Sequence, residues 1–442
     1  MKKVIISLAC IAIIALFAMP FITGMIAEKA TQDIVNTTNE RSVEFGHTEI
    51  VSYERGYKTT QSSFKWSYPG ALQEGDNFVG YSCIGNHGVL NYSYNCKIDN
   101  LEEYTTFVND SLNGKDPLSL TGKVTLWGSI KQRLELEEFQ FTDDSNVVSV
   151  KPAYINFDTN KELSDFIISG KLNGMDVKGG SDAFTLGQSE IKGDISLNEQ
   201  GIGIGEIEFA VSSLNGLIKD QSTIELNDLL VVGQTQEKGE NLDMDYQIKV
   251  ENIITKLTDG ETDIDLKKLN FAMSMHGVDT LKVAAINQKM SDFYNDILSN
   301  QSAEPSTEQL GSLMTIVPDL EALLKSGLQL KTSLSADVSK EPASAEFDIA
   351  LIDNMTMAEF MLAFSNPESL LDKMSANLKT SIPDSILSKQ VLLKEAVINS
   401  PFYEQNGTSY QTDIKLAKDD VMLNGEKINA NEFIALIMQQ AQ

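Results

Sequence analysis

Residues 269–277 read LNFAMSMHG, and this stretch carries the pattern that decides the fold. Its apolar residues Leu269, Phe271, Met273 and Met275 alternate with small or polar residues. Successive side chains of a β-strand point to opposite faces of a sheet. An alternation of period two therefore predicts a strand with one apolar face and one face toward solvent.

The same kind of segment recurs through residues 121–277, with turn residues in between. Examples are KVTLWGSI at 123–130, DFIISGKL at 165–172 and MDYQIKVENII at 244–254. No segment of helical length interrupts the region. This excludes a parallel βαβ sheet, because parallel strands need long crossover connections. We therefore predict a long antiparallel β-meander over residues 121–277.

Residues 278–442 predict a helical pair, then further strands and a closing helix. The first helix has apolar residues at helical spacing, namely Ile286, Met290, Phe293 and Ile297. A second helix is predicted over residues 310–324, where Pro318 should kink or restart it. Near the end of the chain, Asn429 and Glu432 have the spacing of a helix N-cap and its capping box. The fold class is mainly β with α additions.

The N-terminus predicts a membrane anchor over residues 1–27. No charged residue lies between Val4 and Ala27, and Lys2 and Lys3 precede this run. As a helix it would be roughly 36 Å long, enough to cross a hydrocarbon core of about 30 Å. The preceding lysines favour an N-terminus left in the cytoplasm. A cleaved signal peptide is the alternative, although its apolar core is usually shorter.

Residues 28–120 are predicted to form a stalk and an N-terminal β region. Helical spacing continues from Glu28 to about Thr38. Two strands then form a hairpin over His47–Ser67 that turns at Arg55-Gly56. The whole chain is thus expected to consist of the segments 1–27, 28–120, 121–277 and 278–442.

Charge and cysteine content narrow the classes of partner. The chain has 442 residues and a formal net charge of −28, which disfavours binding of the soluble part to nucleic acid and to anionic membrane surfaces. Cys83 and Cys96 lie in one aromatic-rich segment, and in an exported chain such a pair most often forms a disulfide. A metal held by Cys83, His87 and Cys96 is the alternative, but it lacks a fourth ligand and the usual spacing.

Short motifs spread along the chain resemble the YdgA-like family of bacterial envelope proteins, a family of unknown function. SYERGYKTTQSSF is similar to its N-terminal motif, and VMLNGEKINANEFIALI is similar to its C-terminal strands and closing helix. The motif residues are Tyr53, Arg55, Gly56, His87, Gly88, Asn424 and Gly425. This chain has Val89 where the family often has proline. The resemblance implies a periplasmic protein anchored in the inner membrane of a Gram-negative bacterium, and it implies no catalytic residue.

No sequence motif predicts catalysis or a cofactor. The nucleotide-binding, zinc-protease, EF-hand and nucleophile-elbow signatures do not occur. His87 is the histidine most worth testing, with a structural hydrogen-bonding role as the leading interpretation. We expect a non-enzymatic envelope protein held in the inner membrane through residues 4–27, with a scaffold or interaction role. The alternative is binding or transfer of lipid along an apolar groove of the sheet. The oligomeric state stays open.

Overall fold

The structure is a computed structural model that describes most of the chain. It describes residues 2–41, 46–67, 78–99, 102–143, 145–218, 222–256, 264–300, 311, 314–325, 327–362, 372–388, 391–417, 420–429, 432–433 and 435–436. Side chains are described for these residues except 2–17, 40–41, 264, 294–300 and 391–393.

Strands make up most of the described chain. In chain order they are β1 (His47–Arg55), β2 (Thr59–Ser67), β3 (Phe78–His87), β4 (Asn91–Ile98), β5 (Leu118–Thr125), β6 (Ile130–Leu136), β7 (Phe139–Asp143), β8 (Asn146–Val150), β9 (Ala153–Thr159), β10 (Asp165–Leu172), β11 (Met175–Gly179), β12 (Asp182–Leu186), β13 (Ser189–Leu197), β14 (Gly203–Ile218), β15 (Ser222–Lys238), β16 (Asn241–Lys256), β17 (Ile264–Asp279), β18 (Gln329–Val338), β19 (Glu341–Leu351), β20 (Met374–Pro383), β21 (Glu404–Asn406), β22 (Ser409–Ala417), β23 (Asp420–Leu423) and β24 (Glu426–Ile428).

The helices are few. In chain order they are α1 (Lys2–Arg41), α2 (Glu102–Ser111), α3 (Thr280–Asn300), α4 (Val317–Leu323), α5 (Met357–Leu362), α6 (Asp384–Leu387) and α7 (Val391–Ile398). A 3₁₀ turn at Met314–Ile316 leads into α4, which restarts with Pro318 in its first turn, as predicted. Helix α2 was not predicted. The closing helix is helical at residues 432–433 and 435–436, and its predicted apolar residues Ile434, Ile437 and Met438 lie outside the described residues.

The chain divides into two compact units. Unit 1 consists of Met1–Met175, Glu190–Asn198 and Gln288–Leu313. Unit 2 consists of Asp176–Ser189, Glu199–Asn287 and Met314–Gln442. The predicted boundary between residues 120 and 121 lies inside β5. The division of the chain into four segments therefore stays a prediction.

In unit 1, consecutive antiparallel pairs run from β1 to β6 and continue through β9 to β10. Strand β13 pairs with β10, and β7 and β8 form a hairpin. The hairpin predicted over His47–Ser67 is confirmed. The antiparallel pattern therefore begins at β1, well before residue 121, where the sequence predicts the start of the meander.

In unit 2, long antiparallel strands continue the pattern. β14 to β20 pair in chain order, and β22, β23 and β24 follow β20. The predicted antiparallel meander is confirmed, and it extends past residue 277. Its strands are up to 17 residues long, so its two faces are broad.

Candidate functional site

The N-terminal motif residues come together where helix α1 meets the sheet of unit 1. Tyr53 and Arg55 lie on β1, and Gly56 follows in the β1–β2 turn. His87 ends β3, and Gly88 begins the β3–β4 turn. The Gly56 N–H donates to Thr59 O at 2.8 Å and the Gly88 N–H to Asn91 O at 2.7 Å, so both glycines close turns. We call this region, with the part of α1 packed on it, the helix dock.

Small residues let α1 approach the dock closely. Thr23 Oγ1 donates to the Gly88 carbonyl at 2.9 Å. A Cβ on Gly24 would lie 2.4 Å from Cε1 of His87, so only glycine fits at this position. Ala27 is 1% exposed and packs in a cluster with Tyr92. The last residues predicted as membrane span thus belong to the interface between the helix and the sheet.

The His87 ring is held by two hydrogen bonds to the fold. Its Nε2 lies 2.6 Å from Thr60 Oγ1, and its Nδ1 lies 3.2 Å from the Tyr57 carbonyl oxygen. The side chains of His87 and Thr60 are both buried. Because both ring nitrogens contact protein groups, this geometry favours the structural interpretation of His87.

Within the dock, Arg55 of β1 makes further contacts with helix α1. Its Nε lies 3.1 Å from Glu28 Oε2, and its guanidinium lies 4.8 Å from the centre of the Phe21 ring. Its Nη1 is buried without a hydrogen-bond partner among the described residues. The contacts to Glu28 and Phe21 fix the side of α1 that faces the sheet.

The phenols of the dock stay protonated near neutral pH. Burial raises the pKa of Tyr53, and it also raises the pKa of Tyr92, next to the Tyr53 phenol. Burial likewise raises the pKa of Tyr94, although a hydrogen bond from Gln132 opposes the shift. Phenols with raised pKa values are poor general bases, so we assign these residues to packing.

Cys83 and Cys96 face each other on β3 and β4 and are joined by a disulfide. They form a buried cluster with Phe64, and Val35 of α1 packs against it. A bonded pair offers no thiolate to a metal. No group of three or more His, Cys, Asp or Glu residues suited to holding a metal ion occurs in the part of the chain that the structure describes.

Asn424 and Gly425 form the two-residue turn between β23 and β24. Their φ angles are +51° and +89°, which Asn-Gly tolerates and which match a tight hairpin. The Asn424 N–H donates to Asp413 O at 2.8 Å, and Asn424 Oδ1 accepts from the Asp413 N–H at 2.8 Å. Both residues line a polar cavity of about 680 Å³ beside Lys379 and Glu346. Their observed role is to close a hairpin.

Unit 2 has a broad apolar sheet face that crosses many strands. Strand register places its side chains in rows. One row contains Ile207, Tyr246, Met273, Phe347 and Leu378, and the next contains Phe209, Val231, Ile248, Phe271 and Leu334. We call these two rows the apolar face. The row between these two has its side chains on the opposite face of the sheet. It is mostly polar and contains Glu208, Gln247, Ser333 and Glu346.

Within the described residues, the apolar face is only partly covered. Ile207, Phe209, Tyr246, Leu334 and Phe347 keep 37–44% of their surface exposed. The alternation in the sequence identified which residues share a face, but it carried no signal for what covers them.

Helix α1 runs continuously from Lys2 to Arg41. No helix among the described residues combines the length and hydropathy that crossing a membrane requires. The side chains of residues 4–17, the larger part of the predicted span, lie outside the described residues. Residues 28–38, predicted as a stalk, are instead packed along the sheet, and the next residue, Asn39, donates from Nδ2 to the Thr48 carbonyl at 2.8 Å.

Comparison with known proteins gives one match. Residues 1–431 match the family described as bacterial protein of unknown function, DUF945. Neither the curated proteins nor the solved structures contain a match to this chain. Since the match covers nearly the whole length, the chain belongs to this bacterial family of unknown function, DUF945.

Proposed function

We propose that this chain is a non-enzymatic envelope protein, anchored in the inner membrane by the N-terminal part of α1, that binds lipid acyl chains on the apolar face of unit 2. The bulk of the chain then lies in the periplasm. The resemblance to YdgA-like envelope proteins and the charge-free run behind Lys2 and Lys3 support the location.

The packing of α1 shortens the proposed span at its C-terminal end. Among the side chains that the structure describes, Thr23 is the first to donate a hydrogen bond to the sheet, so the span is proposed to cover Val4 to Ile22. As a helix this segment is roughly 28 Å long, close to the thickness of a hydrocarbon core.

The observation that carries the lipid proposal is the exposure of large apolar residues on neighbouring strands of one face. Tyr246, Leu334 and Phe347, for example, keep 37–44% of their surface exposed. Contiguous exposed apolar surface marks an interaction site, since water disfavours it. Acyl chains need no polar partner, and the apolar face offers few polar groups.

A protein partner is the second candidate for the same face. A sheet face also buries against another protein, and the net charge of −28 favours a basic partner. This is the scaffold role expected from the sequence.

Photo-crosslinking in membranes distinguishes the two candidates. Cells that express the full chain are labelled with a photoactivatable fatty acid, and cross-linked peptides are mapped by mass spectrometry. We expect adducts on β14 to β19, and we expect Leu334→Asp to remove most of them because a carboxylate disfavours acyl chains. Ser333→Asp is the matched control, since Ser333 is the neighbouring residue on the opposite face.

Labelling that is unaffected by Leu334→Asp would contradict lipid binding on this face. Adducts between the face and a second protein, without lipid adducts, would favour the scaffold role.

A further inference from the structure

We infer that the hairpin turns of unit 1 next to α1 form a surface that rests on the lipid bilayer beside the anchor. This inference rests on the proposed anchoring and goes beyond it. It assigns a membrane-contact role to four turns: Arg55–Lys58, His87–Leu90, Leu126–Ser129 and Asn160–Leu163. We call them the base turns.

The base turns lie side by side at one end of the sheet. The His87 N–H donates to the Lys58 carbonyl at 2.7 Å, which joins the first turn to the second. The Leu126 N–H donates to the Leu90 carbonyl at 3.2 Å, which joins the second to the third. A Cβ on Gly128 would lie 2.8 Å from carbon atoms of Lys161, so the fourth turn packs against the third.

The direction of α1 places the base turns at its N-terminal side. Thr23 contacts Gly88 in a base turn, whereas Asn39 contacts Thr48 at the opposite end of β1. The helix therefore leaves the sheet past the base turns. The apolar residues before Thr23 continue from that point, so a bilayer that contains them meets the base turns first.

The base turns expose apolar and aromatic side chains. Trp127 is 76% exposed, the highest value among the large apolar side chains that the structure describes. Tyr57, Val89 and Leu90 are 40–47% exposed in the neighbouring turns. On α1, Phe21 and Met25 have similar exposure at the same end. A contiguous exposed apolar patch of this kind marks an interaction site.

The chemistry of these turns fits the interface of a bilayer. Tryptophan and tyrosine prefer the headgroup region, where an apolar ring and a polar atom are both satisfied. The base turns also carry the cations Arg55, Lys58 and Lys161, of which Arg55 pairs with Glu28 of α1 and Lys161 with Glu162. Counted with both acids, these groups leave one positive charge, which favours phosphate headgroups in a chain whose net charge is −28. The lipid bilayer is therefore the occupant that we assign.

Tryptophan fluorescence of the full chain tests the inference, because the sequence contains only Trp66 and Trp127. The chain is reconstituted into vesicles of phosphatidylcholine and phosphatidylglycerol, with or without lipids brominated near the carbonyl end of the acyl chain. In Trp66→Phe, where Trp127 is the only tryptophan, we expect blue-shifted emission that loses most of its intensity to brominated lipid and little to aqueous iodide. Trp127→Phe is the matched control, and Trp66 should not respond to brominated lipid.

If Trp66→Phe fails to fold, the fluorescence of Trp127 is obtained by subtracting the emission of Trp127→Phe from that of the unsubstituted chain. Strong iodide quenching of Trp127 without quenching by brominated lipid would overturn the inference. Shielding of Trp127 from both quenchers would also overturn it and indicate a protein partner. Extraction of the vesicles with alkaline carbonate is measured separately. If the chain is retained in the vesicles while Trp127 stays in water, the proposed membrane-contact surface is wrong and the anchoring stands. If the chain is released, the anchoring is wrong as well.

Discussion

At the scale of single residues, the helix dock depends on the absence of a side chain at Gly24. The glycine is needed for space, because its missing Cβ would lie 2.4 Å from the His87 ring. The ring itself cannot easily move away, since Thr60 and the Tyr57 carbonyl hold its nitrogens. A glycine inside an apolar helix gave no sign of this contact in the sequence.

Gly24→Ala is expected to destabilise unit 1. Alanine normally stabilises a helix relative to glycine by about 0.5–1 kcal/mol, but overpacking against His87 costs about 1–3 kcal/mol. Urea unfolding of the full chain in detergent should therefore show a lower midpoint. Gly216→Ala is the control, because no heavy atom lies within 4 Å of the added Cβ. Equal midpoints for the two variants would contradict the close contact.

At the scale of elements, helix α5 shows how local capping holds a short helix. Thr356 Oγ1 accepts from the Glu359 N–H at 3.1 Å, and Glu359 Oε2 accepts from the Thr356 N–H at 2.8 Å. This is a capping box, which satisfies two N–H groups at the start of the helix. Lys373 Nζ donates to the other carboxylate oxygen at 2.7 Å. The sequence predicts the same part for Asn429 and Glu432, and the box at Thr356 and Glu359 has the same spacing of three residues.

The capping box makes α5 sensitive to acid. The hydrogen bond from Lys373, followed by those from Thr356, lowers the pKa of Glu359 from 4.5 to about 2. Because the folded-state pKa is depressed, the stabilisation by the carboxylate is complete above about pH 4.5 and is lost as the pH falls toward about 2. The carboxyl ¹³C shift of Glu359, assigned with Glu359→Gln, should titrate with a midpoint near the lower value. A midpoint near 4.5 would show that the ion pair and the cap do not form.

At the scale of the whole molecule, the two units differ in whether a disulfide bond stabilises them. Cys83 and Cys96 are bonded within unit 1, and the remaining cysteine, Cys10, is also in unit 1. Unit 2 contains no cysteine, so its stability depends on strand pairing and on its buried clusters. One such cluster contains Leu387, Val397 and Tyr410 near the C-terminal strands.

Reduction is therefore expected to weaken unit 1 and leave unit 2 unchanged. Closing a loop over a sequence separation of 13 residues removes about 3 kcal/mol of unfolded-state entropy. Hydrogen exchange with and without dithiothreitol should show faster exchange in unit 1 alone. The variant with both Cys83→Ala and Cys96→Ala is the control, since reductant should not affect it. Free thiols at both positions in non-reduced protein would refute the bond.

Much of the fold followed from local patterns. Alternation of period two in LNFAMSMHG and similar segments predicted antiparallel strands, because a half-buried strand must show one apolar face. Arg55-Gly56 marked a hairpin turn, and Asn424-Gly425 occupies the left-handed conformations that a two-residue turn requires. These features depend on backbone conformations set within a few residues, so a sequence determines them by itself.

Only the tertiary structure decided which surfaces meet. The sequence could not reveal that Thr23, Gly24 and Ala27 pack on the sheet, since small residues in an apolar run also suit a membrane helix. It also could not reveal that Tyr246, Leu334 and Phe347 stay exposed, because alternation is the same for a covered face and an open one. The physical reason is that burial depends on contacts between residues far apart in the chain, such as Thr23 with Gly88, which no local pattern encodes.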